Sequence, residues 1–276
     1  MIRLMPTSND AGSVPEGMHF LHLVWEEEDS CEASTDNLIP SLGEKGPACL
    51  EHIGTVLASL DRVSLRSWGC REEDHVVEYL CGRVASNARA ALRLMRLGYY
   101  DECLSLCRGM GEAANLFQLF VADETAFEGW VECSRQERLR EFSPVKVRQR
   151  LEAGDGALVN KDRYAALSDK FSHAQPKTRP QAHNPLGVPS LGAVVQQEGS
   201  LVCLNEIARP LAITAVFGSI LLRLEGNVLA LIKANSIALV ESIGQADVLG
   251  IEDYYRDFRN SVPMEGTLSR SPPSAT

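Results

Sequence analysis

Residues 71–101, REEDHVVEYLCGRVASNARAALRLMRLGYYD, decide the fold class of this chain. Val77, Cys81, Val84, Ala88, Ala91 and Met95 recur in steps of four and three, the spacing of one helix face. The segment from Arg71 to Leu97 therefore reads as one amphipathic helix. Gly98 follows the last periodic residue and stops it. The pattern restarts at once at Tyr99-Tyr100-Asp101, so the next helix must double back on the first as an antiparallel hairpin. Its core stripe runs through Cys103, Cys107, Met110, Ala114, Phe117 and Val121, and a polar line of Arg108, Glu112 and Asn115 lies beside it.

Outward from this hairpin the helical signals continue. Glu124 to Phe142 predicts a charged helix. Ser143-Pro144 then supplies an N-cap and a first-turn proline for a helix over 145–153. Gly154-Asp155-Gly156 breaks the chain, and Asn160 caps a short helix ending at His173. Pro176, Pro180, Pro185 and Pro189 make residues 174–199 an extended crossing loop. Three further helical segments are expected near 200–224, 227–243 and 247–260. Residues 1–43, frequent in Pro, Gly, Ser and Asp, predict a loosely ordered arm, and residues 261–276 a disordered tail. Alternating strand-like patterns are confined to about 19–25 and 191–195. The expected architecture is an all-α antiparallel helical bundle, with one domain over 44–260.

Hydrophobic content of 45% and charged content of 23% are those of a globular protein with a sizeable core. Aromatic content of 6% disfavours a surface built on base-stacking rings. The net charge of −10 makes the whole molecule a poor non-specific binder of nucleic acid or anionic membrane. That charge is uneven. Between Arg135 and Arg179 stand eleven Lys/Arg against six Asp/Glu, leaving sixteen basic and thirty-one acidic residues elsewhere. A basic block in an acidic chain fits a phosphate-binding face, and equally a solvated pair of helices. The eight cysteines form no Cys-x-x-Cys pair and no export signal is visible, so free thiols and a cytoplasmic location are expected. The apolar run from Pro210 to Leu222 is too short for a transmembrane helix, and the run from Asn227 to Val240 carries Lys233. Both read as core helices, and no membrane partner is expected.

Candidate chemistry centres on His173, at the end of the helix that begins near Arg163. Asp169, one turn earlier, is placed to orient its imidazole, and Lys170, Lys177, Arg179 and Arg148 supply cations for phosphate. A neutral imidazole so held has the chemistry to abstract a proton from a ribose hydroxyl, the first step of metal-independent RNA cleavage. The same histidine also fits a helix end stabilised by the dipole alone. Arg108 and Glu112 fit either a phosphate contact with its orienting carboxylate or an internal brace, with Asn115 in the same polar network. Glu72-Glu-Asp-His75 has the Glu-x-x-His spacing of di-iron bundles, but its only other instance, Glu16 to His19, lies in the arm. No Gly-rich phosphate loop, nucleophile elbow or zinc constellation is present, so no metal or cofactor is expected.

The order of these segments, Arg108-x-x-x-Glu112, Arg135 to Phe142, Ser-Pro-Val-Lys-Val-Arg148 and Tyr164-x-x-Leu-Ser168-x-x-x-x-His173, resembles a group of bacterial helical-bundle proteins of unknown function. That group is distantly similar to the HEPN superfamily, and the resemblance covers about residues 75–180. It implies a bundle that binds RNA or a nucleotide, in a family where many members serve toxin–antitoxin or phage defence. Active HEPN ribonucleases carry an Arg, then four to six intervening residues, then a His at a helix end, usually completed across a homodimer. His173 matches that histidine, whereas positions 166 to 168 are Ala, Leu and Ser. Arg71 to His75 and Arg179 to His183 have three intervening residues, one fewer than the arrangement requires. The alternative is a non-enzymatic helical interaction module in which His173, Arg108 and Glu112 are structural.

Overall fold

The structure is a computed structural model that describes residues 17–43, 45–64, 75–154, 156–173, 176 and 178–243. Among the described residues it is an all-α bundle of ten helices without strands. In chain order these are α1 (Gly17–Leu38), α2 (Lys45–Ser64), α3 (Val76–Arg96), α4 (Tyr100–Ala122), α5 (Glu124–Glu132), α6 (Arg135–Glu141), α7 (Pro144–Glu152), α8 (Lys161–Leu167), α9 (Gln197–Leu221) and α10 (Gly226–Ile243). The segment 247–260 and the tail 261–276 lie outside the described residues.

The α3–α4 hairpin is built as its pattern requires. All six residues of the α3 stripe are buried, as are Cys103, Cys107, Met110, Ala114 and Phe117 of α4. A two-bond cap ends α3: the Tyr99 N–H donates to Leu94 O (2.9 Å) and the Gly98 N–H to Met95 O (3.0 Å). Gly98 has φ +79°, and a Cβ there would stand 2.3 Å from Val194 O. Only glycine both accepts that backbone conformation and lets the crossing loop pass so closely.

Helix α9 is the axis of the bundle, packed by α2, α3, α4 and α10. Every residue from Val202 to Ser219 is buried. Each large apolar side chain such as Ile207, Leu211, Ile213 or Val216 stabilises the fold by about 1.5–3 kcal/mol. Both α9 and α10 have the length and composition of a membrane-crossing helix, which the sequence reading denied them. Protein surrounds α9 on all sides, whereas α10 is covered on one face and exposes Val228 and Leu231 on the other.

The segment read as a loose arm contains a 22-residue helix, α1. Cys31 and Thr35, one turn apart, are buried beneath it, and Glu32 and Asp36 pair with Arg93 and Arg96 of α3. The single charged helix expected over 124–142 is two helices. Ser134 accepts from the Glu137 N–H and Glu137 accepts from the Ser134 N–H, a capping box that starts α6 afresh. Leu119, Phe120, Ala126, Val147 and Leu151 form a smaller second core that fixes α5 and α7 against the C-terminal half of α4.

Candidate functional site

Helix α4 carries a continuous polar stripe, Asp101, Ser105, Arg108, Glu112, Asn115 and Gln118, in steps of three and four residues. Residues 156–183 run antiparallel along it and engage every member. Gln118 donates to Gly156 O (2.8 Å) and accepts from the Leu158 N–H (3.0 Å). Asn115 donates to Val159 O (2.9 Å) and accepts from the Val159 N–H (3.1 Å), so two amide side chains stand in for a strand partner. Tyr164 donates its hydroxyl to Glu112 (2.9 Å) and accepts from Arg108, which also donates to Ser168 Oγ (2.8 Å). Ser105 and Ser172 hydroxyls meet at 3.3 Å, and His183 Nε2 lies 2.8 Å from Asp101 Oδ1.

Arg163 and Leu167, on the other face of α8, point into the core. Arg163 forms a bidentate pair with Glu206 of α9, Nε to Oε2 at 2.7 Å and Nη2 to Oε1, with side chains only 2% and 1% exposed. Helix α8 is thus held by α4 on one face and α9 on another. At Ser168–Ser172 the helix widens into a π turn, closed by the His173 N–H donating to Ser168 O (3.0 Å). A π turn takes an extra residue per hydrogen-bonded ring, and such turns recur at functional sites.

The residues expected from sequence fall into separate places. His173 is exposed at the end of the π turn, and no hydrogen bond joins it to Asp169. Asp169, Lys170 and Arg179 are exposed and line one cleft, of ≈ 650 Å³, together with Asp101, Phe171 and His183. Lys177 lies outside the described residues. Arg148 is buried on α7 against the Tyr164 ring. Arg108, Glu112 and Asn115 brace α4 to the returning segment. Glu16 and Glu72 of the Glu-x-x-His readings lie outside the described residues, and His75 pairs with Glu78 (3.3 Å). Among the described residues no group of three or more His, Cys, Asp or Glu side chains comes together to hold a metal ion.

The residue missed from sequence is His183. Its ring stacks on Phe171 (centroids 5.6 Å apart, 21° between planes) and meets the edge of Tyr100 at 5.5 Å. A carboxylate only accepts, so the proton shared with Asp101 sits on Nε2. Gln181 holds the loop that carries His183. Its Oε1 accepts from the Tyr100 and Asp101 N–H groups (2.8 and 3.3 Å), and its Nε2 donates to Glu102 (2.6 Å). Gln181 adopts φ +51°, a strained conformation for a non-glycine residue that these bonds over-determine. Burial, then the bond to Glu112, raises the Tyr164 hydroxyl above its usual range.

No family model matches the chain, no curated protein matches it, and no solved structure matches it.

Proposed function

We propose that this is a HEPN-like helical protein that binds RNA or a nucleotide in the cleft between the π turn and the crossing loop. The observation that carries this reading is the convergence of Lys170 and Arg179 with a His183–Asp101 pair in one open cleft. Lys170 and Arg179 contact phosphate, and His183, oriented by Asp101, stands at the cleft wall as the acid–base group. His173 and Asp169 of the sequence reading give way to His183 and Asp101 as the acid–base candidates. Arg179-x-x-x-His183, one residue short of the family spacing, supplies both a cation and the histidine.

Fluorescence anisotropy with a labelled single-stranded RNA tests this reading. Two phosphate contacts give a log–log salt slope of about −1.4 on a single strand. Lys170→Ala with Arg179→Ala should remove most of the affinity; binding that ignores both salt and these substitutions sinks the reading.

A second reading, a non-enzymatic interaction module, draws on α1, where Met18, Phe20, Leu21 and Trp25 are all exposed within its first nine residues. Trp25→Ser should then abolish capture of a protein partner and leave RNA binding unaltered.

A further inference from the structure

Arg148 is a buried cation on α7. It is 7% exposed, and its Nε and Nη1 atoms are buried without a hydrogen-bond partner. Among the described residues no carboxylate lies within ion-pair distance of it. Its guanidinium lies over the Tyr164 ring, whose centroid is 4.6 Å from Arg148 Cζ. The Arg108 guanidinium lies against the same ring at 4.8 Å. Glu112 is the cluster's one carboxylate, and it is already engaged by Arg108 (3.1 Å) and by the Tyr164 hydroxyl (2.9 Å). The cluster thus holds two guanidiniums against one carboxylate.

A buried charge without a counter-charge is costly, and a cation–π contact offsets only part of that cost. The cluster is not sealed, because the side chains of Arg108 and Glu112 remain 26% and 29% exposed. A phosphate group supplies what is missing. Its several oxygens match guanidinium forks, and each N–H···O bond to it is charge-assisted.

We propose that Arg148, Arg108 and Tyr164 form a binding site for a phosphate group, separate from the His183 cleft. Arg108 stands seven residues, about 10 Å along α4, from Asp101. The bound phosphate would bridge α4, α7 and α8, the three helices that contribute these residues. The site does not depend on the RNA or nucleotide reading of the cleft.

The test is calorimetric titration of inorganic phosphate into the full chain, against chloride at matched ionic strength. Wild type should bind phosphate saturably, Arg148→Met should weaken that binding at least tenfold, and the binding that Arg148→Met removes should persist in Lys170→Ala/Arg179→Ala, whatever the cleft itself contributes. Absence of saturable binding, or equal binding by Arg148→Met, overturns the proposal. So does loss of binding in the Lys170/Arg179 variant alone, which would place the phosphate in the cleft. If Arg148→Met does not fold, Arg148→Lys keeps the charge and loses the fork. It should bind severalfold more weakly, and wild-type affinity in that variant overturns the proposal. A nucleoside 5′-monophosphate titrated in parallel distinguishes the source: equal affinity marks free phosphate, and tighter affinity marks an esterified one.

Discussion

Replacing Glu206 by Gln is the sharpest test of how the candidate site is held. Glu206 lies on the central helix and accepts both forks of Arg163, the residue that anchors α8. With side chains 2% and 1% exposed, neither group has water to fall back on. Glutamine keeps the volume and one acceptor but removes the negative charge that the buried Arg163 guanidinium faces at Glu206. Breaking a buried pair in this way costs about 3–5 kcal/mol. At roughly 2–4 °C per kcal/mol for a domain of this size, even the lower cost lowers Tm by about 6–12 °C. Urea unfolding should show the midpoint falling with the slope unchanged. The double variant Arg163→Met/Glu206→Leu removes both charges of this pair and should recover part of the loss. A cost under about 0.5 kcal/mol for Glu206→Gln, or a double variant as damaged as the single, would refute the claim that this pair pins α8 to the core.

Three further outcomes are expected. Gly98→Ala should cost at least about 1–2 kcal/mol in urea unfolding, because φ +79° disfavours a Cβ and Val194 O occupies its place; a cost within 0.5 kcal/mol would contradict that packing. In a Cys70→Ser background a thiol reagent at pH 8 should modify one cysteine quickly, Cys133. Six others are buried, burial pushes Cys49 and Cys81 up to about 12, and fast modification of more than one thiol would show the bundle to be looser. Burial, reinforced at Tyr99 by Glu28, raises the Tyr99 and Tyr100 hydroxyls to about 12. A raised folded-state pKa gives stability that is complete below the unfolded value near 10 and is lost as pH rises toward 12. Stability should therefore fall across that window, and Tyr100→Phe should flatten the fall; an identical profile in the variant would exclude Tyr100 as a cause.

Periodicity reports which face of a helix is buried, and it was sufficient for α3 and α4, whose stripes lie on a single side. It was insufficient for α1, where apolar residues surround the first turns and Glu26 to Asp29 interrupt the pattern, so that only Cys31 and Thr35 mark the buried face. The start of α6 was legible in Ser134-Arg-Gln-Glu137, a capping-box spacing inside what otherwise reads as one charged helix. The polar line of Arg108, Glu112 and Asn115 was visible, but its partners were not. Tyr164, Ser168 and the Val159 backbone meet it only through the return of the chain. Arg163 has the composition of a surface residue, and Glu206, 43 positions away, takes it into the core. His183 sits in a proline-bearing loop where no period constrains its direction, and its partner Asp101 is 82 residues distant. The π turn has no simple sequence signature, and it separates His173 from the cleft that Lys170 and Phe171 line.

The proposed cleft brings ligand to His183 rather than to His173. Histidine side-chain NMR during titration with a short single-stranded RNA measures this directly, with His183→Gln and His173→Gln assigning the signals. The His183 ring resonances should shift saturably while those of His173 move little. Saturable shifts confined to His173, or no shift at either ring, would contradict the account.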